Sequence, residues 1–78
     1  MIFTKTTLDR IKKSYEIKYV NNFNDSTVVG FGDRDTTIAV MSNILTQTYE
    51  GIFETVNIEI RIDEHVCELI EYLPDEED

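Results

Sequence analysis

The chain of 78 residues carries 16 acids against 7 bases, a net charge of −9, with 41% hydrophobic residues and one cysteine. That length predicts a single small domain with little stability to spare, and a lone Cys67 without a Cys/His cluster excludes an intramolecular disulfide and a zinc site. The charge argues against direct contact with nucleic acid or anionic lipid, and in favour of a basic partner surface.

Thr6 or Thr7 can cap a short helix that turns Leu8, Ile11 and Tyr15 inward, with Arg10, Lys12 and Lys13 on its other face. Residues 15–20 alternate at period two, as a half-buried strand does. An Asn/Asp loop over 21–26 and a second strand over 27–31 complete an antiparallel hairpin. Gly32-Asp33-Arg34-Asp35 breaks the chain before a longer helix. Asp35 or Thr36 is its expected cap, Ile38, Met41, Leu45 and Tyr49 (with Ile44 beside them) its buried stripe, and Gly51 its left-handed end. Val56, Ile58, Ile60 and Ile62 alternate with polar residues and predict a third strand. Asp63 then caps a final helix over 63–73, with Val66, Leu69, Ile70 and Leu73 inward and Pro74 as the stop. The order α-β-β-α-β-α predicts an α+β domain over residues 1–73: a three-stranded, mostly antiparallel sheet with helices mainly on one face. Residues 74–78 read as a frayed acidic tail. There is no apolar run of about eighteen residues and no signal peptide, so the expectation is a soluble cytoplasmic protein with no membrane partner.

The charge is unevenly spread. Residues 50–78 hold eleven acids and one base, Arg61, whereas residues 1–49 hold five acids and six bases. On the expected last helix, Glu71, Glu64, Asp75 and Glu68 fall at about 140°, 160°, 180° and 200° from Val66, opposite the buried side. They form one stripe, rising roughly 4.5–6 Å from each carboxylate to the next. Phosphates on one DNA strand advance about 3.4 Å per nucleotide along the axis, and further along the curved backbone. A stripe of this pitch can stand in for part of a phosphate backbone. An ordinary exposed helix would intersperse lysines, since like charges at i, i+4 cost roughly 0.2–0.5 kcal/mol. Glu50 and Glu54, at the end of the preceding helix, and Glu59, on the polar face of the third strand, widen the acidic surface if that strand lies beside the last helix. The expected partner-binding residues are therefore Glu64, Glu68, Glu71, Asp75, Glu59, Glu54 and Glu50.

No constellation for catalysis survives inspection. His65 and Cys67 would sit about 160° apart on the expected helix, too far round to share a proton. Gly30-Phe31-Gly32 opens like a dinucleotide fingerprint but lacks the third glycine, and those glycines read as closing a turn. Asp33-Arg34-Asp35 opens like an EF-hand loop but has Ile38 and Ile44 where Gly and Glu are required. No catalytic residue, metal ligand or cofactor is assigned, and the chain is read as not an enzyme.

In size, charge and its acidic segment 50–78, the chain resembles the DNA-imitating inhibitors of phages and mobile elements: small acidic anti-CRISPR proteins, antirestriction proteins and uracil-DNA glycosylase inhibitors. These share no single fold, so the resemblance implies a class of function and assigns no role to a residue. It implies an acidic inhibitor that occupies the basic nucleic-acid-binding surface of a nuclease or other DNA-processing enzyme, in the host cytoplasm if phage-encoded. The alternative is a small regulatory or structural interaction module whose acids serve solubility. A homodimer is also allowed, either isologous or head-to-tail with Lys12 and Lys13 of one copy against Glu68 and Glu71 of another.

Overall fold

Thr4, not Thr6 or Thr7, opens the first helix. In a computed structural model, which describes residues 1–51 and 57–73, its hydroxyl accepts the Thr7 N–H at 3.2 Å and α1 runs Lys5–Ser14. Leu8, Ile11 and Tyr15 pack against the core as their spacing requires. Lys12 and Lys13 fall in the last turn, where the helix dipole favours cations.

The next two strands form the expected hairpin. β1 (Ile17–Asn22) pairs antiparallel with β2 (Ser26–Phe31), setting Val20 against Val29 and Asn22 against Thr27, with an irregularity between Ile17 and Tyr19. Asp33 then caps α2 (Arg34–Tyr49), two residues before the expected start: its carboxylate accepts the Thr36 N–H at 2.7 Å and the Thr36 hydroxyl at 3.1 Å. Gly51, at φ 84°, ends the helix in the left-handed conformation that the sequence predicts. The buried stripe of α2 is turned from the expected one. Thr37, Val40 and Ile44 face the sheet, while Ile38, Leu45 and Tyr49 are 40%, 51% and 94% exposed.

The largest correction concerns residues 63–73. They are not a helix but a turn followed by a strand: β3 (Ile58–Ile62) and β4 (Cys67–Tyr72) make a second antiparallel hairpin. The sheet therefore has four strands, all antiparallel, in the order β1-β2-β4-β3. Asp63 explains why the segment resembles a helix start. Its Oδ1 accepts the N–H groups of His65 at 2.7 Å and Val66 at 2.9 Å, and its own N–H donates to the Val66 carbonyl at 2.8 Å. A carboxylate satisfying N–H groups two and three residues on is what an N-cap does, and equally what an Asx turn does. The segment after it sits between two strands, so Leu69 and Ile70 are both buried, on opposite faces. Adjacent buried residues imitate one side of a helix.

Both helices cover one face of the sheet. Val29, Phe31 and Leu69 pack there with Val40 and Ile44 of α2 and with Ile2 and Phe3 of the leading segment. α2 lies against β4, β2 and β3. Among the described residues no helix is long and apolar enough to cross a membrane. The acidic tail expected over 74–78 lies outside the described residues.

Candidate functional site

Neither described helix covers the other face of the sheet, and its residues follow from register. Alternation along the strands brings Tyr19, Gly30, Glu68 and Arg61 into one row across all four strands. The next row is Asn21, Val28, Ile70 and Glu59. Tyr72, two residues beyond Ile70, completes the face.

Two tyrosine–carboxylate pairs organise this surface. The Tyr19 ring crosses over Gly30, where any Cβ would collide with it, and its hydroxyl donates to Glu68 Oε2. This hydrogen bond to a carboxylate pushes the Tyr19 pKa up to about 12, because ionisation would lose the bond and set two anions together. Arg61 stands 3.9 Å from the other Glu68 oxygen. Tyr72 donates to Glu59 Oε2 at 2.9 Å, and this bond raises its pKa in the same direction. Both rings remain 40% exposed. The arrangement is two amphipathic rings with fixed hydroxyls, two carboxylates and an aliphatic floor of Val28 and Ile70.

The acidic residues expected to form a stripe are distributed differently. Glu68 and Glu59 do come together, as diagonal neighbours on β4 and β3. Glu64 is exposed in the β3–β4 turn, beside Asp63, and Glu50 is exposed at the C-cap of α2. Glu54 and Asp75 lie outside the described residues. Glu71 is a correction of kind. It points to the helix side of β4, is only 5% exposed, and its two oxygens accept the N–H groups of Ile2 at 2.5 Å and Phe3 at 2.9 Å. In a strand, residues 68 and 71 differ by an odd number and must face opposite ways. The helical stripe does not exist, and Glu71 is an interior clasp for the leading segment.

Tyr19, Tyr72 and Arg61 were missed by the sequence reading. A signal for the first was present: a glycine inside a strand pattern marks a close approach, and Gly30 stands inside one. His65 is exposed in the turn, Cys67 is half-buried at the start of β4, and no hydrogen bond joins them among the described residues. A groove between α1 and α2, lined by Arg10, Ile11, Tyr15, Asn43, Ile44 and Gln47, holds about 170 Å³. That is below the roughly 300–1,000 Å³ of ordinary small-molecule sites. No protein-family model, curated protein or solved structure matches the chain.

Proposed function

We propose that this chain is a non-catalytic protein-binding module that engages a basic partner through the open face of its sheet. One observation carries the reading: Tyr19 and Tyr72, each half-exposed and fixed to a carboxylate, frame Val28 and Ile70 on a face that neither described helix covers. Tyrosine adds contact area at small entropic cost and is enriched at binding hot spots. A ring face beside a carboxylate suits a lysine or, better, an arginine, through cation–π attraction and a charge-assisted hydrogen bond. Asp63 and Glu64, on the adjoining turn, extend the negative field.

Imitation of DNA is the second reading, and it now rests on the net charge of −9 rather than on a helical row. In that reading the basic partner is a nuclease or another enzyme with a nucleic-acid channel, and the chain inhibits it by occupying that channel. Nothing in the geometry supplies a phosphate-like spacing, so the broader module is the conclusion.

Affinity capture on immobilised wild-type protein, followed by identification of what elutes with salt, tests both. Tyr19→Ala and Glu68→Gln should lose the captured protein, whereas Asp9→Asn, exposed on α1 in the helix layer, should keep it. Retention by the first two variants would sink the open-face reading. Competition of duplex DNA with the captured protein supports mimicry, and simultaneous binding of DNA rejects it.

A further inference from the structure

The two edges of the sheet are unlike. β1 carries the irregularity between Ile17 and Tyr19, with Lys18 at it, and bulges and lysines are common means of keeping an edge from pairing. β3, the other edge, has no bulge, proline or lysine over Ile58–Ile62. Tyr72 donates its N–H to the Asn57 carbonyl at 2.9 Å, so by antiparallel alternation the odd-numbered residues of this strand bond to β4. The N–H and C=O groups of Ile58, Ile60 and Ile62 therefore point away from β4, to the side where no described strand lies.

We infer that β3 is the interface of an isologous dimer, pairing antiparallel with β3 of a second copy about Ile60. The sequence Ile58-Glu59-Ile60-Arg61-Ile62 reads almost the same in both directions, and what differs is complementary. With Ile60 opposite Ile60, Ile58 meets Ile62 on the helix side, and Glu59 of each copy meets Arg61 of the other on the open face. Glu59 and Arg61 then form non-hydrogen-bonded cross-strand pairs, the closer kind, where opposite charges attract most. Centring on Glu59 or on Arg61 sets a like charge against its own copy. A one-residue slip brings isoleucines against charges. Only one register satisfies both the apolar and the charged positions.

The helix layer supports the same contact. Val40, Asn43, Ile44 and Gln47 line the groove toward α1, so Ile38, Leu45 and Tyr49 lie on the exposed side of α2 turned from that groove. Ile60 and Ile62 are 41% and 36% exposed although they point to the helix side of the sheet. A second copy related by the two-fold axis covers this strip with its own equivalent. The contact consumes the unprotected edge of both copies and leaves outermost the two that carry Lys18 and the irregularity. The head-to-tail alternative through Lys12, Lys13, Glu68 and Glu71 fails, because Glu71 is interior.

Sedimentation velocity over a concentration series reaching the millimolar range tests the inference. Wild type should sediment as a dimer, and Arg61→Glu should weaken dimerisation on the order of tenfold or more, since two attractive pairs become repulsive. The swap Glu59→Arg with Arg61→Glu should restore it. Circular dichroism checks that each variant is folded, and Ile60→Lys, which places a cation at the centre of the edge, gives the same readout should Arg61→Glu unfold. A wild type that stays monomeric throughout, a dimer indifferent to Arg61→Glu and Ile60→Lys, or a folded charge swap that stays monomeric overturns the proposal.

Discussion

Tyr19 depends on what Gly30 lacks. A methyl group at Gly30 would evict the ring and break its hydrogen bond to Glu68. Gly30→Ala should therefore bring the Tyr19 titration, followed by phenolate absorbance, down from about 12 toward its ordinary 10.0. The same shift sets a stability window. A pKa higher in the folded chain means that the contribution is complete below pH 10 and is lost as pH rises through about 12. Urea unfolding in that interval should show the decline in wild type, and Tyr19→Phe should remove this residue's share of it. Glu71 makes the opposite case, a carboxylate whose work is inside. Glu71→Ala leaves the N–H groups of Ile2 and Phe3 without their acceptor, and unfolding should become easier by roughly 2–4 kcal/mol, since a buried donor without a partner costs about 1–3 kcal/mol. Glu64→Gln, on the exposed turn, should change stability by less than about 0.5 kcal/mol.

Among the elements, α2 has an end that responds to acid. Hydrogen bonds from Thr36 hold the Asp33 carboxyl below its usual range, so the cap contributes above the ordinary pKa of 3.8 and is lost as pH falls through the lowered one. Asp33→Ala should flatten the acid limb of a stability–pH profile without altering the alkaline limb to which Tyr19 and Tyr72 contribute. The first two strands, both helices and the left-handed Gly51 were legible in the sequence because each rests on a local signal: alternation, periodicity or a glycine at a helix end. Two features were not. Asp63 gives the same side-chain-to-backbone bonds whether a helix or a hairpin follows, and Leu69-Ile70 looks apolar on one side in either case. The choice between them was made by β3 and β2, which need a strand between them, and that is a tertiary demand. The rotation of α2 was hidden for a related reason: Thr37 is fully buried because its hydroxyl bonds the Asp33 carbonyl at 2.8 Å, so a polar residue occupies a core position. Of the expected site, only the adjacency of Glu59 and Glu68 was legible, conditional on strand neighbours that the sequence could not name.

For the whole molecule, charge and stability are coupled. A net charge of −9 repels itself in the compact state, and only two ion pairs, Lys18–Glu16 and Arg61–Glu68, relieve it among the described residues. Raising the ionic strength from near zero to about 0.15 M, where screening acts over ~8 Å, should raise the unfolding midpoint. A neutral osmolyte control separates screening from general salting effects. The place of β4 also governs when the chain can fold during its own synthesis. Among the described strands β4 is the last to be translated, yet β2 and β3 each hydrogen-bond to it and not to one another. Until Cys67–Tyr72 has left the ribosomal tunnel, β3 has no neighbour, the β1–β2 hairpin has one exposed side, and Ile2 and Phe3 lack the carboxylate 69 and 68 residues downstream that holds them. Everything made earlier must wait, with its isoleucines uncovered, for a single late strand. A nascent chain stalled with residues 1–66 outside the tunnel should remain open to protease, and one extended to expose residue 73 should become resistant in a single step.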